Sequence, residues 1–260
     1  MTRTPTNPVG RAARALVAAV SDQPWWLKAR TSMASALPPR LRGRVGAALS
    51  PRESMGFNDQ ERRTEMMLEL VASFEPEVII ETGTYQGATT EWFADNSNTQ
   101  IVTVESSEWF FSYAQYRLSQ IPQIELIFGN SVSALQELSS NLDIVARKTL
   151  FYLDAHWNEY LPLADEIDLI MANWSDFIIV IDDFEVDDDA GYTFDDYGPG
   201  KRLDKTLIPA KHRDQLFAYY PKAKSSEETS HKRGVIVLTP KRHKDLLDGL
   251  SLLRPTPLSV

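Results

Sequence analysis

Two rhythms of apolar positions run through the chain from about residue 58. Met66, Met67, Leu70, Val71 and Phe74 recur at helical spacing, with Asn58 or Asp59 as a cap and Pro76 as the stop, and predict a helix with the methionines in the core. Short apolar runs follow at 78–83, 100–106, 124–130, 149–155 and 177–183, each rich in β-branched or aromatic residues, and they predict strands. Between them helices are expected to begin near Ala88, Ser107, Ser131 and Leu161. Strands that alternate with helices imply a parallel sheet covered on both faces. Two more runs, 215–221 and 234–240, are separated only by the polar stretch KAKSSEETSHKR, so they are expected to pair antiparallel. The pattern is thus an α/β fold of seven strands, mostly parallel, closed by a C-terminal hairpin.

The first fifty residues read differently. Val9, Ala13, Leu16, Val17 and Val20 suggest a small amphipathic helix, Trp25 and Trp26 follow, and Pro38, Pro39 and Pro51 break the pattern. Residues 1–53 are expected to be a basic appendage or linker, partly helical, ahead of one domain at 54–260. Of the formal net charge of -9, residues 1–50 contribute +7, leaving -16 on the remainder. An acidic body argues against nucleic acid as a partner, because phosphate contacts need basic surface. The basic arm suits a peripheral membrane or protein contact instead. No apolar run is long enough to span a bilayer, and the apolar stretch ALVAAV is short for a signal peptide, which points to the cytoplasm. With no cysteine in the chain, thiolate ligands and a Cys nucleophile are excluded.

Ligands of open α/β sheets bind beyond the carboxyl ends of the strands. There the chain places Glu81, Glu105, Asn130, Asp154, Asp182 and Asp183, each ending an otherwise apolar run. After the first strand the turn reads ETGTYQG, with Gly83 and Gly87, while position 85 is Tyr where a dinucleotide fingerprint requires glycine. The spacing favours a different adenosyl cofactor over a dinucleotide, with an ordinary strand–turn–helix corner as the other reading. Glu105, at the end of the next strand, is placed to accept hydrogen bonds from ribose hydroxyls.

At this point three segments resemble the class I S-adenosylmethionine (SAM)-dependent methyltransferases, and among them the cation-dependent O-methyltransferases of the catechol O-methyltransferase kind. ETGTYQGAT fits that family's E-x-G-x-Y-x-G-x-[ST], LDAHWNEYLP at 153–162 resembles its L-D-H-W-K-D-R-Y-L-P with Ala155 inserted, and Asp182–Asp183 stands where the family has Asp-Asp or Asp-Asn. The resemblance implies a Rossmann-like fold that binds SAM through Glu81, Gly83, Thr84, Tyr85, Gly87, Thr89, Glu105, Ser106, Asn130, Ser131, Asp154, His156 and Trp157. It also implies a divalent cation on Asp154, Asp182 and Asp183. Three oxygen ligands from neighbouring strand ends suit a hard cation that keeps some waters, with Mg²⁺ the natural guest.

One departure matters: Asn158 stands where those relatives carry a lysine that serves as general base, and Asn takes no proton. His156, beside the ligand Asp154, is the nearest titratable substitute, with a wall of the cofactor site as its other reading. The acid- and glycine-rich loop at 184–200 reads either as a lid over the acceptor, with Tyr192, Phe194 and Tyr197 as apolar contacts, or as a solvated acidic loop. An acidic rim favours a cationic acceptor such as an aminosugar over a phosphorylated one. The expected activity is methyl transfer from SAM to a hydroxyl of a small-molecule acceptor, with Asp154 and His156 catalytic. The rival is a SAM-binding protein without catalysis that acts through a partner or membrane contact.

Overall fold

The computed structural model describes residues 56–156 and 160–259, together with Leu41 and Val45. The expected helix at 8–20, the tryptophan pair, Trp157 and Asn158 all lie outside the described residues.

Helix α1 (Glu61–Phe74) buries Met66, Met67, Leu70 and Phe74, as its periodicity predicts. Its start differs from expectation. Asn58 and Asp59 form a short 3₁₀ turn at Phe57–Asp59 with φ of 57° and 58°, and neither caps the helix. The free N–H groups of Arg62 and Arg63 instead donate to Glu228, each at 2.9 Å, from a loop more than 160 residues away. Glu75, in the left-handed region, ends the helix just before Pro76.

Strands β1 (Val78–Thr82), β2 (Gln100–Glu105), β3 (Ile124–Phe128), β4 (Thr149–Leu153) and β5 (Phe177–Asp182) pair in parallel, while β6 (Leu216–Pro221) and β7 (Val235–Pro240) run antiparallel, as read from the sequence. The sheet order is β3-β2-β1-β4-β5-β7-β6-β8, with an eighth strand, β8 (Leu253–Thr256), in place of the seven expected. Four residues that include Arg254 and Pro255 carry no strand signature, and an outer edge is where a strand tolerates a proline without an N–H. Helices α2 (Ala88–Asn96), α3 (Glu108–Leu118), α4 (Ser131–Ser139), α5 (Leu142–Val145) and α6 (Leu163–Asn173) connect the parallel strands; α7 (Ala210–Arg213) and α8 (Lys244–Asp248) flank the hairpin.

The core has two halves, one on each face of the sheet. Ile80, Phe151, Leu153, Ile179 and Ile181 join α4 and α6 on one face, while Ile79, Leu150, Tyr152, Ile178 and Val180 join α1, α2 and α8 on the other. This period-2 division fixes where each strand-end side chain emerges. Tyr152, Asp154 and Asp182 share the α1 face. Because β7 runs against β5, its first residues return to the sheet edge where β1, β4 and β5 end. Among the described residues no helix is long and apolar enough to cross a membrane.

Candidate functional site

The turn after β1 is held by its backbone. Gly83 has φ +89°, and a Cβ placed on it would lie 2.2 Å from the carbonyl oxygen of Asp154. Only glycine lets the turn pass that close to the end of β4. The N–H of Tyr85 donates to Glu105 Oε2 at 2.7 Å and that of Ser107 to Oε1 at 2.7 Å, so one carboxylate binds the turns after β1 and β2 together. Burial raises the Glu105 carboxyl above its ordinary range, against the pull of these amides. Tyr85 packs on Phe110 with ring centroids 4.3 Å apart and remains half-exposed.

Glu81 lies beneath the turn, fully buried. Thr90 and Thr103 donate to its Oε2, Thr103 at 2.6 Å, and Thr84 donates in turn to Thr103 at 2.6 Å. Burial pushes Glu81 up to about 7, with the two hydroxyls pulling the other way. Thus Glu81 and Thr84 shape the turn through a hydroxyl chain, whereas Gly83 and Glu105 meet its surface. Gly87 opens α2 with φ +76°, and Thr89 Oγ1 accepts the N–H of Phe57 at 3.5 Å. Ser106 is exposed, and Asn130 is an exposed cap of α4 that accepts the Ser133 N–H at 2.8 Å. Ser131 and Thr82 are buried, and their hydroxyls face Glu166 on α6. Burial pushes Glu166 up to about 7 as well, while the two hydroxyls pull its carboxyl down as hydrogen-bond donors.

Asp182 and Asp183 are neighbours in sequence with opposite surroundings. Asp182 is buried; Arg63 pairs with Oδ1, the Asp183 N–H donates to the same oxygen at 2.7 Å, and Tyr152 donates to Oδ2 at 2.5 Å. Although burial works against it, Arg63 and these hydrogen bonds hold Asp182 below its ordinary range. With both oxygens engaged in the core, Asp182 stands apart from the group expected to hold a cation. Atoms of Asp154, His156 and Asp183 lie within 4.8 Å of one another. His156 Nε2 is 3.6 Å from Asp154 Oδ1 and 4.0 Å from Asp183 Oδ2, and it is buried without a hydrogen-bond partner.

The charges in this group are strained against one another. A third of the Asp154 side chain is still exposed, yet burial of the group and the neighbouring Asp182 and Asp183 push its carboxyl well above the ordinary range. Burial and Asp182 push Asp183 to about 6, opposed by Arg233. Burial lowers His156 to about 4, so its ring is neutral at pH 7 with a lone pair available. An unpaired buried nitrogen facing carboxylates fits a cation, since a metal ion satisfies both.

Arg63, Tyr152, Asp195 and Arg233 were not legible as site residues. Arg233 pairs with both Asp183 and Asp195, and Asp195 Oδ2 lies 3.8 Å from His156 Nε2. A signal for Arg233 exists: it immediately precedes an antiparallel strand, whose first residues must return to the edge where β5 ends. The loop at 184–200 is fastened over this edge. Phe184, Val186 and Tyr192 are buried, Thr193 donates its N–H to Lys232 O at 2.7 Å, and Gly234 donates to Thr193 O at 2.8 Å. Those bonds exclude a freely solvated acidic loop.

By shape the chain is similar to an O-methyltransferase of Bacillus cereus solved with SAH, at 18% identity and a TM-score of 0.54, over 79% of this chain and 93% of that one. It is similar also to TomG of Streptomyces achromogenes, an O-methyltransferase involved in tomaymycin synthesis and solved with SAM, at 16% identity and a TM-score of 0.53, over 84% and 98%. No family model matches the chain, and no curated protein sequence matches it. The likeness is one of fold: the Rossmann-like fold of these SAM-dependent O-methyltransferases.

Proposed function

We propose that the chain is a SAM-dependent O-methyltransferase that methylates a hydroxyl of a small-molecule acceptor with the help of a divalent cation, Mg²⁺ by the chemistry of its ligands. The observation that carries this reading is the contact of Gly83 with the Asp154 carbonyl. It presses the glycine turn against the carboxylate–imidazole group, so a methyl donor on one and an acceptor on the other would be neighbours. SAM would supply an electrophilic sulfonium methyl, and a divalent cation would hold the acceptor oxygen and lower its pKa.

The residues divide accordingly. Glu105 accepts from the Tyr85, Ser106 and Ser107 amides, and two carboxylate oxygens with about four lone-pair sites leave room for a ribose hydroxyl. Gly83 leaves the turn surface open to the donor, with Asn130 bordering the adenine. Asp154, His156 and Asp183 hold the cation, which makes His156 a ligand in preference to a base; Asp182 stabilises their strand end from behind. Tyr197, which donates to Asp195 and lies 3.4 Å from the His156 carbonyl, closes the acceptor side. Orientation of the two substrates is the main task for in-line methyl transfer.

The test has three arms. SAH should bind by calorimetry, and Glu105→Ala should weaken it by about tenfold or more, the equivalent of a lost hydrogen bond to a charged group. A labelled-methyl screen over hydroxylated acceptors should show transfer that excess chelator abolishes while SAH binding survives. Bound SAH without transfer to any acceptor in the presence of Mg²⁺ would replace this reading with that of a binding protein.

A further inference from the structure

We propose that Asp195, on the loop after β5, is a fourth protein ligand of the cation site, held in place by Arg233 as a positioning residue. The inference rests on the cation in the reading above and extends it to a residue outside the strand ends.

Its basis is the way Arg233 divides two carboxylates. Arg233 takes Oδ1 of Asp183 with Nε and Oδ1 of Asp195 with a terminal nitrogen. Each acid is left with Oδ2 on the His156 side, at 4.0 Å and 3.8 Å from Nε2, with Asp154 Oδ1 at 3.6 Å; Asp195 thus adjoins the mutually close group of Asp154, His156 and Asp183 through the imidazole. Ligand atoms each about 2.1–2.3 Å from one ion stand about 3–4.5 Å apart, and these distances fall in that span. The imidazole nitrogen they surround is buried, with a side chain only 3% exposed, and it has no partner of its own. A cluster of acids alone would be unremarkable; the orphaned nitrogen aimed into it is what calls for a ligand.

Asp195 is also fixed to a degree that its loop position would not suggest. Its N–H donates to Asp183 O at 3.0 Å, its carbonyl accepts from Leu203 N–H at 2.9 Å, and Tyr197 donates to Oδ2. The next residue, Asp196, turns outward, is nearly half exposed and accepts only the Gly198 N–H at 2.9 Å and a long contact from Arg202 at 3.8 Å. The two acids carry the same charge one residue apart, and only one faces the imidazole.

That pair supplies the experiment, read by the loss of free Mn²⁺ signal in electron paramagnetic resonance titrations of the full chain. Asp195→Asn should weaken Mn²⁺ binding by about tenfold or more, a typical loss for a support of a metal site, while Asp196→Asn should change it less than about threefold. Arg233→Lys keeps the charge but loses the two-pronged grip, and should also weaken Mn²⁺. SAH binding, checked in each variant, should be unchanged and reports that the fold survives. If Asp195→Asn binds Mn²⁺ as well as Asp196→Asn does, Asp195 is no ligand, although the cation reading stands. Wild-type affinity in Arg233→Lys would remove the positioning role. If the wild type itself binds no Mn²⁺, the cation reading fails and this inference with it.

Discussion

The glycine turn after β1 and the carboxylate group after β4 and β5 touch at Gly83 and Asp154, yet they are built in opposite ways. The turn draws on a contiguous stretch, residues 81–107, and its key bonds are amide N–H groups onto Glu105. The carboxylate group draws on α1, two strand ends, a loop and the start of β7, joined by side chains more than 100 residues apart in the case of Arg63 and Asp182. Adjacent acids need not share surroundings. Arg63 commits Asp182 to the core, and Arg233 leaves Asp183 half free, so distant arginines assign the roles of a two-residue motif.

Removing each arginine in turn separates the two acids. Arg63→Met strands a buried Asp182 and should cost about 3–5 kcal/mol in urea unfolding, since breaking a buried pair leaves an uncompensated charge. Arg233→Met, whose partners are a fifth exposed, should cost about 1 kcal/mol. Equal losses would mean that the two acids are equivalent after all.

Next in size is the contact between the regions. Gly83→Ala combines a strained positive φ with a Cβ 2.2 Å from a carbonyl, and should cost about 3 kcal/mol while weakening SAH. Stability unchanged by this substitution would show that the turn and the end of β4 move independently.

The same contrast explains what sequence could convey. The five parallel strands, the antiparallel hairpin, the glycine turn and Glu105 were legible because each is a local pattern: period-2 apolar runs, a turn needing φ > 0, an acid at a strand end. For Asp182 a strand-end position is the one local signal, and nothing near it in sequence discloses Arg63. Asp195 lies among Asp187, Asp188, Asp189 and Asp196, and no local feature separates an inward acid from an outward one. Likewise α1 has plausible caps at Asn58 and Asp59, but Glu228 wins because a tertiary carboxylate reaches two amides at once.

A smaller effect sharpens the turn side. Glu81 and Glu166 lie on either face of β1, and burial lifts both to about 7 from an ordinary 4.5. A carboxyl with a raised folded pKa binds its proton more tightly in the folded state, so its contribution is fully favourable below 4.5 and is lost as pH rises towards 7. Wild-type stability should therefore fall between pH 5 and 7 by a share that Glu166→Gln removes, on the order of 2 kcal/mol. Unfolding curves at pH 5 and pH 8 check it. An identical fall in the variant would exclude Glu166 as the source.

The smallest expected effect probes whether the distant construction of the carboxylate group reaches as far as the loop before β7. Glu228 accepts the Arg62 and Arg63 amides and the Gln60 side chain, at 2.9, 2.9 and 3.2 Å, and so fixes the helix turn from which Arg63 extends to Asp182. Glu228→Gln keeps the shape and one acceptor oxygen but loses the charge at a helix N-terminus, for an expected cost of about 1 kcal/mol. If the cap works by aiming Arg63, this cost should shrink in an Arg63→Met background, because the two residues then belong to one network. Strict additivity would make Glu228 an ordinary helix cap and confine the assembly of the carboxylate group to the residues that touch it.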